Sequence, residues 1–208
     1  MCNRATTEDG LARAVARRLA RQEGQTGRRL AHVHGVVEAV REMAEASDWS
    51  AERAAAAVRA AWIHDALRLE DPETLRSRIE AAGEEPDPWA LAHAPALLHA
   101  HAAAVWAAAR GETDREVMMA VRHHPTAHPD WASVGRLLYV ADFCEPGRPY
   151  AERLRTADLR RRVGAGREGL ADVACRVLSL RLAHGARENR PVHPLSLRAW
   201  KSWMETRP

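Results

Sequence analysis

A His-Asp doublet, His64-Asp65, stands in the chain with isolated histidines on either side and a second aspartate downstream. In order the ligand-type residues are His32, His64, Asp65, His99, His124 and Asp142. Imidazole and carboxylate together suit a divalent transition ion rather than calcium, which takes oxygen ligands. Such a set offers metal-assisted hydrolysis.

The elements that must position these residues read as helical almost throughout. Apolar residues recur at three- and four-residue spacing, and alternating runs of Val, Ile and Thr are missing, so the pattern predicts an all-α fold. Helical phase separates the histidines. His32 shares a stripe with Val36, Ala39 and Met43, whereas His34 sits with Glu38, Arg41 and Glu45 and faces water. His124 continues the apolar face of Val117, Ala120 and Val121, and His123 points away. Asp142 falls with Trp131, Gly135 and Leu138, while Asp65 and His64 share the side of Ala57, Val58 and Ala61. A carboxylate on a buried side must be neutralised by a metal, an arginine or a strong donor. Phase does not choose between His99, aligned with Ala102, Ala103 and Trp106, and His101, aligned with Leu97, Ala104 and Ala108. One histidine on an apolar stripe is more often a hydrogen-bonded core residue than a ligand. Six ligand-type residues in one small helical domain favour a shared site.

Helix starts are marked by Ser50, by Asp71-Pro72 and by a capping box from Thr113 to Glu116, and Gly111 follows a helix end. Two stretches rich in proline and histidine, residues 84 to 95 and 123 to 130, read as loops bordering the site. Residues 1–26 read as a peripheral helical segment before a main domain over 27–208.

At 208 residues, 46% hydrophobic and 28% charged, the chain suits one folded domain and excludes a largely disordered protein. Three scattered cysteines, Cys2, Cys144 and Cys175, form no CxxC pair and imply neither a disulfide framework nor a zinc ribbon. The N-terminus lacks a signal-peptide pattern and no apolar run spans a bilayer, so a cytoplasmic location is expected. The net charge of +3 comes almost wholly from arginine, Lys201 being the only lysine. That bias, alongside abundant alanine, reflects a GC-rich genome more simply than a nucleic-acid surface. Arginine also clamps phosphate bidentately.

The stretches RRLAHVHGV, AAWIHDALR, ALLHAHAAA, AVRHHPTAHPD and LLYVADFCEPGR resemble, in order, the RxxHxxGV, AAxxHDxxK, LxHxxxxA, AIRYHTxGRP and YVADxxEPxR segments of a known family. Over residues 27 to 200 the chain resembles the HD-domain metal-dependent phosphohydrolases, and among them the bacterial symmetrical bis(5'-nucleosyl)-tetraphosphatases of the YqeK type. The resemblance implies a single-domain helical bundle and selects His99 over His101. As metal ligands it implies His32, His64, Asp65, His99, His124 and Asp142, with Asp65 bridging two divalent ions. Iron is the first expectation, with manganese, magnesium, cobalt or nickel as alternatives. It further implies hydrolysis of diadenosine tetraphosphate to two ADP by a metal-activated hydroxide, with Asp65 and Arg68 catalytic and Arg29, Arg68, Arg122, Thr126 and Arg148 on the phosphates. The alternatives are an HD phosphohydrolase acting on a mononucleotide, a cyclic nucleotide or guanosine tetraphosphate, or a non-catalytic module that binds nucleotide or RNA. The expected partner is a small-molecule nucleotide rather than a membrane or nucleic acid, with a homodimer left open. Two departures stand out. Arg68 replaces the lysine after the doublet, and the HTxG turn has become His124-Pro125-Thr126-Ala127, followed by His128 where arginine is usual.

Overall fold

The computed structural model describes residues 8–23, 27–164 and 167–205, and no strand occurs among them. The helices are α1 (Glu8–Glu23), α2 (Arg28–Ala46), α3 (Ala51–Ile63), α4 (Pro72–Ala81), α5 (Pro88–His93), α6 (Leu98–Ala108), α7 (Arg115–His123), α8 (Ser133–Cys144), α9 (Thr156–Val163), α10 (Arg167–Arg187) and α11 (Pro194–Glu205). The fold is thus the expected all-α bundle. At its centre α3 and α8 touch each other, and both touch α2 and α7. Helix α6 lies on α7 and α4, while α10 covers α8 and carries α9 and α11.

Alanine makes this tight centre accessible. Ala57, Ala60 and Ala61 of α3 and Ala102, Ala103 and Ala107 of α6 are fully buried. A methyl side chain costs no rotamer entropy and favours helix, and it lets neighbouring backbones approach closely enough to fill the interior. Leu67, Met43, Ile63 and Tyr139 fill the wider gaps. Leu11, Val15 and Leu19 of α1 recur every four residues and are buried in the same core. That helix packs on α2 and α3; residues 1–7 and 24–26 of the N-terminal segment lie outside the described residues.

Two of the three expected helix starts follow their capping signals. The Ser50 hydroxyl accepts from the Arg53 amide at 3.3 Å, and the Asp71 carboxylate accepts from the Thr74 amide at 2.9 Å with Pro72 in the first turn. Two boundaries differ from expectation. The stretch 84 to 95 contains α5, because Asp87-Pro88 repeats the Asp71-Pro72 signal, with the Asp87 carboxylate accepting from the Ala90 amide at 2.9 Å. The cap of α7 is Asp114, which accepts from the amides of Glu116 and Val117, rather than Thr113. The buried Glu112 carboxylate accepts from the Thr113 and Asp114 amides, and Arg59 bridges Glu112 and Asp114. This shifts the helix start by one residue.

Gly135 has a steric role. A Cβ there would fall 2.5 Å from Cγ of Trp131, so only glycine lets that ring lie across α8. Trp131 also donates its indole N–H to the Met119 carbonyl at 3.2 Å, tying the stretch after α7 to both α7 and α8.

Candidate metal centre

The centre is assembled at the ends of the central helices. His32 lies in the second turn of α2, His99 in the first turn of α6, His124 caps the C-terminus of α7 and Asp142 lies near the end of α8. Helix α3 stops at Ile63, so His64-Asp65 occupies the turn that follows rather than a helical face. The His64 amide still bonds to the Ala60 carbonyl, which keeps its ring directed inward.

The six residues form two adjoining groups, His32, His64 and Asp142 in one, Asp65, His99 and His124 in the other. Within each, the candidate donor atoms lie within 4.8 Å of one another. Asp65 faces both. Its Oδ1 is 3.2 Å from His99 Nε2 and 3.7 Å from His124 Nε2, and its Oδ2 is 3.6 Å from Nε2 of His32 and of His64. Apart from half-buried His32, every member is buried, none more than 6% exposed.

Three of the histidines share one polarity. Nδ1 of His64, His99 and His124 lies 2.7, 2.6 and 2.9 Å from the carbonyls of Ala61, Ala96 and Val121, each three residues back. His32 Nδ1 lies 3.1 Å from Glu145 Oε1. A carbonyl only accepts, so Nδ1 of His64, His99 and His124 carries the proton and Nε2 of each presents a lone pair to the centre, while His32 lies between two carboxylates, with its Nε2 3.1 Å from Asp142 Oδ1. Two consequences bear on what the site can hold. His64 Nε2 is buried without a hydrogen-bond partner. Nε2 of His99 and His124 face each other at 3.2 Å, with the Asp65 oxygen beside them. Converging acceptors with no donor among them repel unless a cation lies between, and outer hydrogen bonds to Nδ1 are the usual support of a metal-bound imidazole. The donor set fits divalent metal ions.

Charge in the centre is balanced by arginine. Arg29 Nη1 lies 2.6 Å from Asp65 Oδ2, Arg181 Nη2 lies 2.6 Å from Asp142 Oδ2, and Arg148 pairs with Asp142 Oδ1. Burial alone would push both carboxyls up. Asp65 is instead held well below the usual carboxylate range by His64, His124 and His99, and Asp142 by Arg181, His32 and Arg148. Burial lowers His64 to about 4, so its ring is neutral and able to ligate at physiological pH.

Of the other residues singled out in the sequence, Arg29 and Arg148 join the centre through those ion pairs. Arg68 lies half-buried in the turn after Asp65. Arg122 pairs with Glu84 beside His101, whose Nε2 is 2.9 Å from the same carboxylate. The buried Thr126 hydroxyl bonds to the carbonyls of His123 and Ala127, at 3.2 and 3.1 Å. Hence His101 is engaged outside the two groups while His99 lies inside, a choice that phase alone left open.

Three participants were not assigned from sequence. Glu145 is buried, holds His32 Nδ1 and accepts from the Gly147 amide at 2.6 Å. Gly35 makes room for it, since a Cβ at position 35 would lie 2.7 Å from Glu145 Oε2. Arg181 carries no local motif and reaches Asp142 only because α10 crosses α8. Glu145 and Gly35 lie within the quoted RxxHxxGV-like and EPxR-like segments, which could have flagged them. The altered turn keeps a glycine-like backbone: buried Ala127, at the HTxG glycine position, has φ of 65°, a left-handed conformation that costs an alanine about 1–2 kcal/mol.

Comparison with known proteins agrees with this geometry. No protein-family profile matches the chain. The chain is 27% identical over 175 residues to a protein of Halalkalibacterium halodurans named symmetrical bis(5'-nucleosyl)-tetraphosphatase, covering 83% of this chain and 87% of that protein. It is 29% identical over 126 residues to the Bacillus subtilis protein of the same name, covering 60% of this chain and 65% of that one. A crystal structure from Clostridium acetobutylicum, described as a predicted HD superfamily hydrolase involved in NAD metabolism, superposes with a TM-score of 0.79 at 20% identity, covering 96% of this chain and 97% of that one. In sequence the chain is similar to two bacterial proteins named symmetrical bis(5'-nucleosyl)-tetraphosphatase, and in fold it is similar to an HD superfamily hydrolase.

Proposed function

We propose that the protein hydrolyses a dinucleoside tetraphosphate symmetrically, diadenosine tetraphosphate to two ADP. The observation that carries this reading is the placement of Asp65, with one oxygen toward His99 and His124 and the other toward His32 and His64. The names of the two sequence relatives support the substrate.

On this reading His32, His64 and Asp142 would hold one divalent ion and His99 and His124 a second, with Asp65 facing both groups. Four imidazoles with two carboxylates are a borderline donor set, which favours iron over a hard ion such as magnesium. When bound, such ions supply Lewis acidity, polarising phosphoryl oxygens and lowering the pKa of water to about 7. The chain's own residues do the rest. Glu145 fixes the tautomer and ring plane of His32. Arg29 and Arg148, now paired with the carboxylates, are placed to turn their remaining N–H groups to phosphate, where bidentate contacts offset charge gathering on nonbridging oxygens. Arg68 adds a cation at the turn after Asp65. Burial of the centre keeps bulk water from screening these charges.

Chromatography of the products from diadenosine tetraphosphate, with metal supplied, tests the reading. ADP as the sole product is expected. AMP with ATP, or no turnover while a mononucleotide, cyclic nucleotide or guanosine tetraphosphate is consumed, would overturn it.

A further inference from the structure

Two cavities meet at Arg181, the arginine that holds Asp142. One, about 250 Å³, has Phe143, Tyr150 and Leu180 as its floor and Arg148, Arg153 and Arg187 at its edge. The other, about 490 Å³, is walled by Trp89, His93, Leu97 and Tyr139, with Arg190 at its mouth. Arg181 and His184 line both. Among the described residues no acidic side chain lines either cavity, in a chain that holds 28 acidic residues against 31 basic ones. Two other cavities, by contrast, include Glu85 with Asp87 and Glu116 with Asp130.

Arg181 and Arg148 are paired with Asp142, but the outer cations are not consumed internally. Among the described residues no carboxylate pairs with Arg153, Arg187 or Arg190, all of them exposed. Arg181 lays its guanidinium over the ring of Tyr139 at 4.5 Å, and its Nε is buried without an acceptor. Each cavity also offers a flat surface. Tyr150 is tilted against Phe143 at 5.1 Å between centroids, and half-buried Trp89 stands against His93 and His193. Aromatic faces stack on nucleobases of any identity, and arginine forks bind phosphate bidentately. Arg181 and Arg148 place the junction beside Asp142, so a polyphosphate lying there has an aromatic-walled cavity on either hand.

We propose that the two cavities are separate nucleotide cradles, one for each half of a dinucleoside polyphosphate, with Arg181 and His184 as the shared wall between them. This deepens the function proposed above and rests on it for the orientation of the chain of phosphates. It assigns the preference for a two-ended substrate to two surfaces: Tyr150 with Arg153 and Arg187 on one side, Trp89 with Arg190 on the other.

Calorimetric titration of the purified metal-loaded protein with ADP tests the proposal without relying on turnover. Two ADP per chain are expected. The double variant Arg153→Ala with Arg187→Ala should weaken one of the two sites at least tenfold and leave the other within twofold. Arg190→Ala should do the reverse, and Trp89→Ala should reproduce it if α5 keeps its place. Exposed arginines leave the core intact, so unchanged melting temperatures are expected and make the binding loss local. One ADP per chain, or both sets of variants weakening the same site, overturns the two-cradle reading even where product chromatography confirms symmetrical cleavage. Two selectively separable ADP sites in a protein that does not cleave the tetraphosphate would uphold the cradles and refute the reaction.

Discussion

Gly35 offers a sharp test of how the centre is held. Its helix places the ideal Cβ 2.7 Å from Glu145 Oε2, the oxygen that accepts from the Gly147 amide. Gly35→Ala must therefore move the carboxylate away from His32 Nδ1 and the Gly147 amide, now 3.1 and 2.6 Å distant. Hydrogen bonds to a charged group contribute about 1.5–3 kcal/mol each. Alanine returns about 1 kcal/mol of helix propensity. The net loss is about 2–5 kcal/mol, which for a chain of this size lowers the melting temperature by roughly 4–20 °C. The larger effect falls on the metal. Without its partner the His32 ring loses its fixed tautomer and orientation, and loss of such an outer contact costs about 10–100-fold in metal affinity. Metal titration should show this loss at the group containing His32 and little change at the group of Asp65, His99 and His124. If Gly35→Ala bound both ions with native affinity and melted at the native temperature, the account of Glu145 as the support of His32 would be wrong.

Asp65→Ala should abolish hydrolysis and most binding of both ions while the helical circular dichroism persists, because Asp65 faces both groups; full activity in that variant refutes sharing. In the metal-free protein, burial lowers His64 to about 4 and His123 to about 3. The unfolded chain, with ordinary values near 6.5, then binds more protons as pH falls, so stability present above pH 6.5 declines toward pH 4 by about 1.4 kcal/mol per pH unit for each such group. His32, whose pKa is raised by Asp142 and Glu145 against the effect of burial, opposes the trend. Melting curves of the chelated protein between pH 8 and 4 should follow this slope, and a flat profile would contradict neutral buried imidazoles. Gly135→Ala should destabilise by about 1–3 kcal/mol through overpacking, since the Trp131 ring it meets is rigid and buried. Thermal denaturation with no change refutes that contact.

Much of the architecture was legible in local pattern. Period and alanine content determine that the chain is helical, and side-chain caps such as Ser50 and Asp71 mark helix starts because each satisfies an orphan amide within its own turn. Phase alone turned His32 and His124 inward and His34 and His123 away, since a helix presents a fixed face every 3.6 residues. Tertiary structure decided what local spacing cannot express. Asp87 opens α5 inside a stretch that reads as loop, and a contest among Glu112, Arg59 and Asp114 moved the start of α7. Phase left His99 and His101 equivalent because both faces of α6 are alanine, and only the packing of α6 on α7 brings His99 to His124 while His101 meets Glu84. Glu145 and Gly35 are separated by more than a hundred residues, and their mutual fit exists only where the end of α8 meets α2. Arg181 belongs to no motif. A long side chain's partner depends on which helix crosses which, and that is settled by burial summed over the whole core rather than by any neighbouring residue.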